Sequence, residues 1–203
     1  MRLREVVLPA AAPESLVDFY GLPADGEGVA FGATRVRFER GPAVCSHFAI
    51  NVPPDRFEEA ADWARARAPL LRDDVPFPAW RARSAYFYDG DGNIVELIAR
   101  ERAPGRELLL EVSEVGLPVT DVGAAVDYLQ AELDLPCFDG DRERFSALGD
   151  DRGLLIVVPV GRDWVFTDRP ATDAPLRVVM AGWPPREVEV RGSRHRIVVA
   201  PDR

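Results

Sequence analysis

Glu96 stands in the middle of an apolar run, Ile94-Val95-Glu96-Leu97-Ile98-Ala99. A carboxylate does not belong inside a buried strand unless something compensates its charge. Few other side chains can do chemistry. His47 and His195 are the two histidines, so each imidazole can be considered singly. All 25 basic residues are Arg. The absence of Lys excludes Schiff-base chemistry, covalent pyridoxal phosphate chemistry and a Walker A phosphate loop. Cys45 and Cys137 are far apart and form no C-x-x-C pair, so two buried thiols are expected rather than a zinc or redox site. No G-x-S-x-G occurs, and "GEGVAFG" lacks the dinucleotide-binding spacing. "DGDGN" at 89–93 begins like a calcium loop, but the twelfth position is Arg100, where a bidentate Glu is required. His195, between Arg194 and Arg196, reads as exposed.

The elements that must position these groups show as an internal repeat. "REVVLPAAAPESLVDFYG" at 4–21 resembles "SEVGLPVTDVGAAVDYLQ" at 113–130: a short strand with a central Glu, a turn, and an amphipathic helix. Leu16, Phe19 and Tyr20 mark the helix in one copy, and Val122, Ala125, Val126 and Leu129 in the other. A further copy, "SHFAINVPPDRFEEAADWARARA" at 46–68, places a strand over Phe48–Val52. Asp55 is its expected N-cap, and its helix buries Phe57, Ala60, Ala61 and Ala64 and ends at Pro69. Strand-like runs follow each helix. In one of them Asp-Gly-Asp-Gly joins "SAYFY" to "NIVELIAR", a hairpin signal. "LRVVMAG", "PPREVEVRG" and "RHRIVVAP" read as a last unit without its helix, because Pro184 and Pro185 break one. "ERAPGRE" at 101–107 reads as a boundary between two halves, and 161–175 as a long connection.

The chain has 203 residues, 47% of them hydrophobic, with a net charge of −9. A core is available, and phosphate-rich partners are disfavoured. No nucleic acid is expected. No apolar run reaches about 18 residues, so no membrane span is expected. "MRLREVVLPA" is too short and charged for a signal peptide. The expectation is a cytoplasmic monomer or homodimer with a small-molecule ligand.

Repeat and hairpin together resemble the vicinal oxygen chelate superfamily of glyoxalases, bleomycin-resistance proteins and extradiol dioxygenases. The most specific stretch is "YFYDGDGNIVEL", similar to the superfamily's Y-F-x-D-P-D-G-N-x-x-E-L run. The resemblance implies an α+β fold of tandem βαβββ modules forming cupped mixed sheets. Three modules are full (1–42, 43–100, 107–160) and one is truncated (174–203). Two domains follow, 1–102 with the metal site and 107–203. It further implies that Glu5, His47 and Glu96 hold a divalent metal, Fe2+ or Mn2+ before Zn2+ or Ni2+. Tyr86 is then the candidate catalytic side chain, hydrogen-bonded to a substrate oxyanion. Other readings of the residues stand beside this one. Glu96 can pair with Arg35 or Arg37, His47 can be a core histidine, and Glu5 can lie on a solvated edge or pair with Arg4. Glu39 is the one candidate for a fourth ligand. No metal is expected in the second half, where Glu114 can pair with Arg177 or be exposed.

Tyr86, Asp89, Gly92 and Glu96 also fall at the spacing of the extradiol signature, with Gly90 in place of Pro. The His that should precede the Tyr is missing, and neither Arg81 nor Arg83 can act as a base in its place. The function expected is that of a divalent-metal enzyme acting on a small oxygen-rich or aromatic molecule. A metal-free binding protein of the bleomycin-resistance type is the alternative.

Overall fold

The computed structural model describes residues 1–26, 28–101, 105–182 and 184–201. The chain runs β1 (Arg2–Ala10), α1 (Pro13–Tyr20), β2 (Ala24–Asp25), β3 (Gly28–Phe31), β4 (Thr34–Arg40), β5 (His47–Asn51), α2 (Phe57–Arg65), β6 (Leu70–Phe77), β7 (Ala82–Tyr88) and β8 (Ile94–Arg100). It continues through β9 (Glu111–Val119), α3 (Val122–Leu133), β10 (Cys137–Gly140), β11 (Ser146–Asp150), β12 (Gly153–Pro159), β13 (Leu176–Ala181), β14 (Arg186–Glu189) and β15 (His195–Ala200). The α+β fold of βαβββ modules is therefore present, and among the described residues the last module has strands but no helix. None of the described helices is long and apolar enough to cross a membrane.

In every module the first strand lies parallel to the last: β1 beside β4, β5 beside β8, β9 beside β12 and β13 beside β15. Two first strands then meet antiparallel at the centre of each sheet. The sequence reading paired module one with module two. In the structure β1 meets β13, and β5 meets β9. The sheets have the orders β14-β15-β13-β1-β4-β3-β2 and β10-β11-β12-β9-β5-β8-β7-β6. Module one thus sits with the truncated module, and module two with module three, across the expected division between 1–102 and 107–203. Residues 102–104, inside that division, lie outside the described residues.

Side-chain alternation explains this choice of partners. β4 carries Arg35 and Arg37, β13 carries Arg177 and β15 carries Arg196, each between two buried neighbours. Such strands need one solvated face. β5, β8 and β9 are buried at every position and need both faces covered. A register that mixed the two kinds would bury arginines or expose Leu and Val. A continuous core joins the inner faces of both sheets to the helices, with Leu3, Val6, Phe48, Ile50, Leu97, Val115, Phe57 and Leu129 among its members.

Local features follow ordinary rules with some departures. Asp55 lies in a 3-10 turn, Pro54–Arg56, and the N-cap of α2 is Arg56. The Asp89–Asn93 turn is structural: the Asp89 carboxylate accepts hydrogen bonds from the Asp91 and Asn93 amides (3.0 and 2.9 Å) and from the buried Tyr20 hydroxyl at 2.7 Å. His195 is buried, contrary to expectation, because its strand lies between β13 and β14 and its Nε2 faces the Pro118 carbonyl at 2.8 Å. Cys45 is half-buried and Cys137 exposed, rather than both buried.

Candidate metal centre

β5, β8 and β9 are adjacent strands, so alternate residues of each share one face. On that face His47 and Ala49 come from β5, Glu96, Ile98 and Arg100 from β8, and Glu114 and Gly116 from β9. The register places Ala49 between Glu96 and Glu114 as a direct neighbour of both. Ala is small enough to let the two carboxylates converge above it. An irregularity in the β5–β9 register at Ser113 keeps Glu114 on this face while Val112 and Val115 face the core.

One ligand atom from each of His47, Glu96 and Glu114 lies within 4.8 Å of the other two, and all three residues are buried. His47 Nδ1 faces the Ile94 carbonyl at 3.2 Å. A neutral ring donates there, which leaves the Nε2 lone pair aimed at Glu96, whose Oε2 is 3.6 Å away. Ser84 Oγ donates to Glu96 Oε1 at 2.6 Å and orients that carboxylate. Glu114 is ion-paired with Arg100, which also bonds Asn51 and, at 3.1 Å, Ser113 Oγ.

The electrostatics describe a site short of positive charge. Two carboxylates face one guanidinium, so one buried negative charge lacks a partner unless a proton or a cation supplies it. Burial, then repulsion from Glu96, pushes the Glu114 carboxyl up to about 7, against the pull of Arg100. Burial also raises Glu96, opposed by hydrogen bonds from Ser84 and Tyr86. Burial lowers His47, which keeps its nitrogen free to ligate. One imidazole nitrogen with two carboxylates suits a hard or borderline divalent ion and leaves positions open. The donor set therefore fits the metal that the resemblance implies, with Glu114 where Glu5 was expected.

Glu5 lies in the other sheet. It pairs with Arg177 at 3.1 Å and Arg35 at 3.8 Å on a face open to solvent. The arginine expected to pair with Glu114 thus pairs with Glu5 instead, because β13 neighbours β1 and not β9. Glu39 pairs with Arg37 on that same sheet. His47 and Glu96 are brought together as expected. Tyr86 lies opposite Glu96 in the β7–β8 register and is buried beside it. Burial and the Glu96 charge push its phenol far up, so it stays protonated and donates.

These groups form the floor of a cavity of about 390 Å³, whose walls include Phe77, Trp80, Ile156 and Trp164. Trp164 belongs to the 161–175 connection, which folds over the cup. Its indole N–H donates to the Cys45 carbonyl at 3.0 Å and its ring lies 5.3 Å from the His47 ring. The ring fits because Gly116 has no side chain: a Cβ there would collide with the Trp164 ring atoms. Gly116→Ala is expected to displace the indole and cost about 1–3 kcal/mol by overpacking. Thermal unfolding and tryptophan emission check this, and an unchanged emission spectrum would contradict it.

The fold as a whole matches solved structures. A Bacillus subtilis protein described as a candidate dioxygenase aligns over 100% of this chain and 86% of its own, with TM-score 0.65 and 13% identity. Glyoxalase I from Zea mays aligns over 98% of this chain and 92% of its own, with TM-score 0.61 and 16% identity. A mutant of the maize enzyme aligns with TM-score 0.62 and 15% identity over 98% and 93%. No family model and no curated protein matches the sequence. At these identities the likeness is one of fold.

Proposed function

We propose that this chain, whose fold is that of the vicinal oxygen chelate superfamily, is a divalent-metal-dependent enzyme acting on a small oxygen-rich or aromatic molecule. One observation carries the reading: His47, Glu96 and Glu114 converge on the floor of a largely apolar cavity with a negative charge left to compensate. Fe2+ and Mn2+ come first for such donors, then Zn2+ and Ni2+. A bound ion of this kind supplies Lewis acidity toward the negative charge that develops on a substrate oxygen. The chain's own groups do the rest. Ser84 holds Glu96 in orientation. Tyr86 keeps its proton and donates a hydrogen bond from the cavity wall. Trp80, Trp164 and Phe77 exclude water, which strengthens every polar interaction inside. A cytoplasmic setting belongs to the same reading.

The test is metal analysis of protein purified without chelator, followed by titration with Mn2+. Near-stoichiometric uptake is expected, and His47→Ala and Glu96→Gln should each weaken it by more than about 100-fold while the fold survives. Less than ~0.2 equivalents of any divalent metal, with none taken up on soaking, would overturn the proposal. The Arg100–Glu114 pair favours a second reading, because it satisfies one carboxylate without a metal. In that case the cup is a metal-free binding site of the bleomycin-resistance kind. Ligand stabilisation would then follow mass action and be indifferent to EDTA.

A further inference from the structure

The cavity has one arginine on its wall, Arg162. Of the other arginines around the cup, Arg100 pairs with Glu114, Arg81 with Glu101, Arg83 with Glu58 and Asp74, and Arg152 with Glu111, while Arg72 lies over the Phe166 ring at 5.3 Å and Arg169 donates to the Gly92 carbonyl at 3.1 Å, both off the cavity wall. Arg162 differs. Its guanidinium lies 5.9 Å from the centre of the Phe145 ring, and no carboxylate among the described residues is within 4.0 Å of it. In a chain of net charge −9, a half-buried guanidinium left without an acid is a group with unused donors.

Its backbone is held firmly. Gly161 N donates to the Ala171 carbonyl and Ala171 N to the Arg162 carbonyl, both at 2.8 Å, and Trp164 N donates to the Arg169 carbonyl at 3.0 Å. The 161–171 segment is thus a closed, hydrogen-bonded loop that presents Arg162 and Trp164 to the same cavity. The remaining acid on the wall, Asp139, accepts from Trp80 Nε1 at 2.6 Å and is occupied. A ligand would meet aromatic and aliphatic walls, a floor that holds the acids Glu96 and Glu114, and, on the wall, the Arg162 guanidinium.

We propose that Arg162 is an anion anchor that sets specificity, and that the cup takes a flat, apolar-bodied carboxylate. The body lies between Trp164, Trp80 and Ile156, and the carboxylate meets the guanidinium fork, which matches it with two parallel N–H donors. This deepens the functional reading by naming the ligand class. It rests on the cavity being a ligand site and not on the metal.

Calorimetry in EDTA with three probes of one shape tests it: 2-naphthoate, 2-naphthamide and 2-naphthylmethylamine. In the wild type, 2-naphthoate should bind at least about tenfold tighter than the amide. Arg162→Gln should weaken 2-naphthoate by about 10- to 100-fold and leave the amide within about twofold, and Arg162→Lys should fall between. Equal loss for both probes, no loss for either, tightest binding of the ammonium, or no binding of any probe would each overturn the proposal. Mn2+ titration of the Arg162→Gln protein runs alongside. Failure of metal uptake in every variant would defeat the metalloenzyme reading while leaving the carboxylate discrimination in EDTA intact.

Discussion

Replacing Arg100 by Met is expected to destabilise the protein by roughly 3–5 kcal/mol near pH 8, the cost of leaving a buried carboxylate without its partner. Both side chains of the Arg100–Glu114 pair are only 4% exposed. The same guanidinium also serves Asn51 and Ser113, whose oxygens would be left unsatisfied. The lost charge has one escape: Glu114 can take a proton. Its carboxyl is already raised to about 7 with Arg100 present and would rise further without it. The destabilisation should therefore be smaller near pH 6 than near pH 8. Arg100→Met with Glu114→Gln removes the buried charge altogether and should recover much of the loss. Denaturant unfolding of the four proteins, read as a double-mutant cycle at both pH values, checks this. Additive losses in the double variant would show that the pair is not coupled.

Much of the fold was legible because repeat and period-2 patterning are local properties of the chain. The helices over Leu16–Tyr20, Phe57–Ala64 and Val122–Leu129, and the hairpin at Asp89–Asn93, need no knowledge of distant contacts. Two of the three site residues were legible too, because Glu96 breaks an apolar run and His47 opens a strand in the same module, two strands that lie side by side. The third member was not, because which first strands pair is a tertiary choice. A signal for it did exist. Glu114 sits in "EVSEVGLPV", a strand with little polar alternation, whereas Glu5 sits in "RLREVVLPA", flanked by arginines that demand water. Burial on both faces marks the strand that can carry a functional carboxylate. Trp164 was invisible for another reason: a connection rich in Pro, Asp and Thr has no period, and its closure over Gly116 is set by hydrogen bonds within 161–171.

The proton on Glu114 should also compete with metal, and this gives the second large effect. A divalent ion needs both carboxylates ionised and the imidazole neutral. His47 is lowered by burial, so it is already neutral through the neutral range. Glu114, at about 7, and Glu96, also raised by burial, are then the groups whose protons must leave. Apparent Mn2+ affinity should fall at least about tenfold per unit below pH 7, with a loss of at least about 100-fold by pH 5. Two ordinary exposed carboxylates would give an almost flat profile over that range. The metal-free protein should respond with the opposite sign. A raised carboxyl binds more protons folded than unfolded, so its contribution to stability is full below about 4.5 and is lost as pH rises through about 7. The depressed His47 and His195 act the other way, since their contribution is present above about 6.5 and lost on acidification. The carboxyl part is isolated by subtracting Glu114→Gln, which keeps both histidines. That difference in unfolding free energy should shrink from pH 5 to pH 8 without metal and grow over the same range with saturating Mn2+. Isothermal titration and unfolding curves at four pH values supply both profiles, and a metal affinity that stays constant from pH 8 to pH 5 would remove Glu114 from the ligand set.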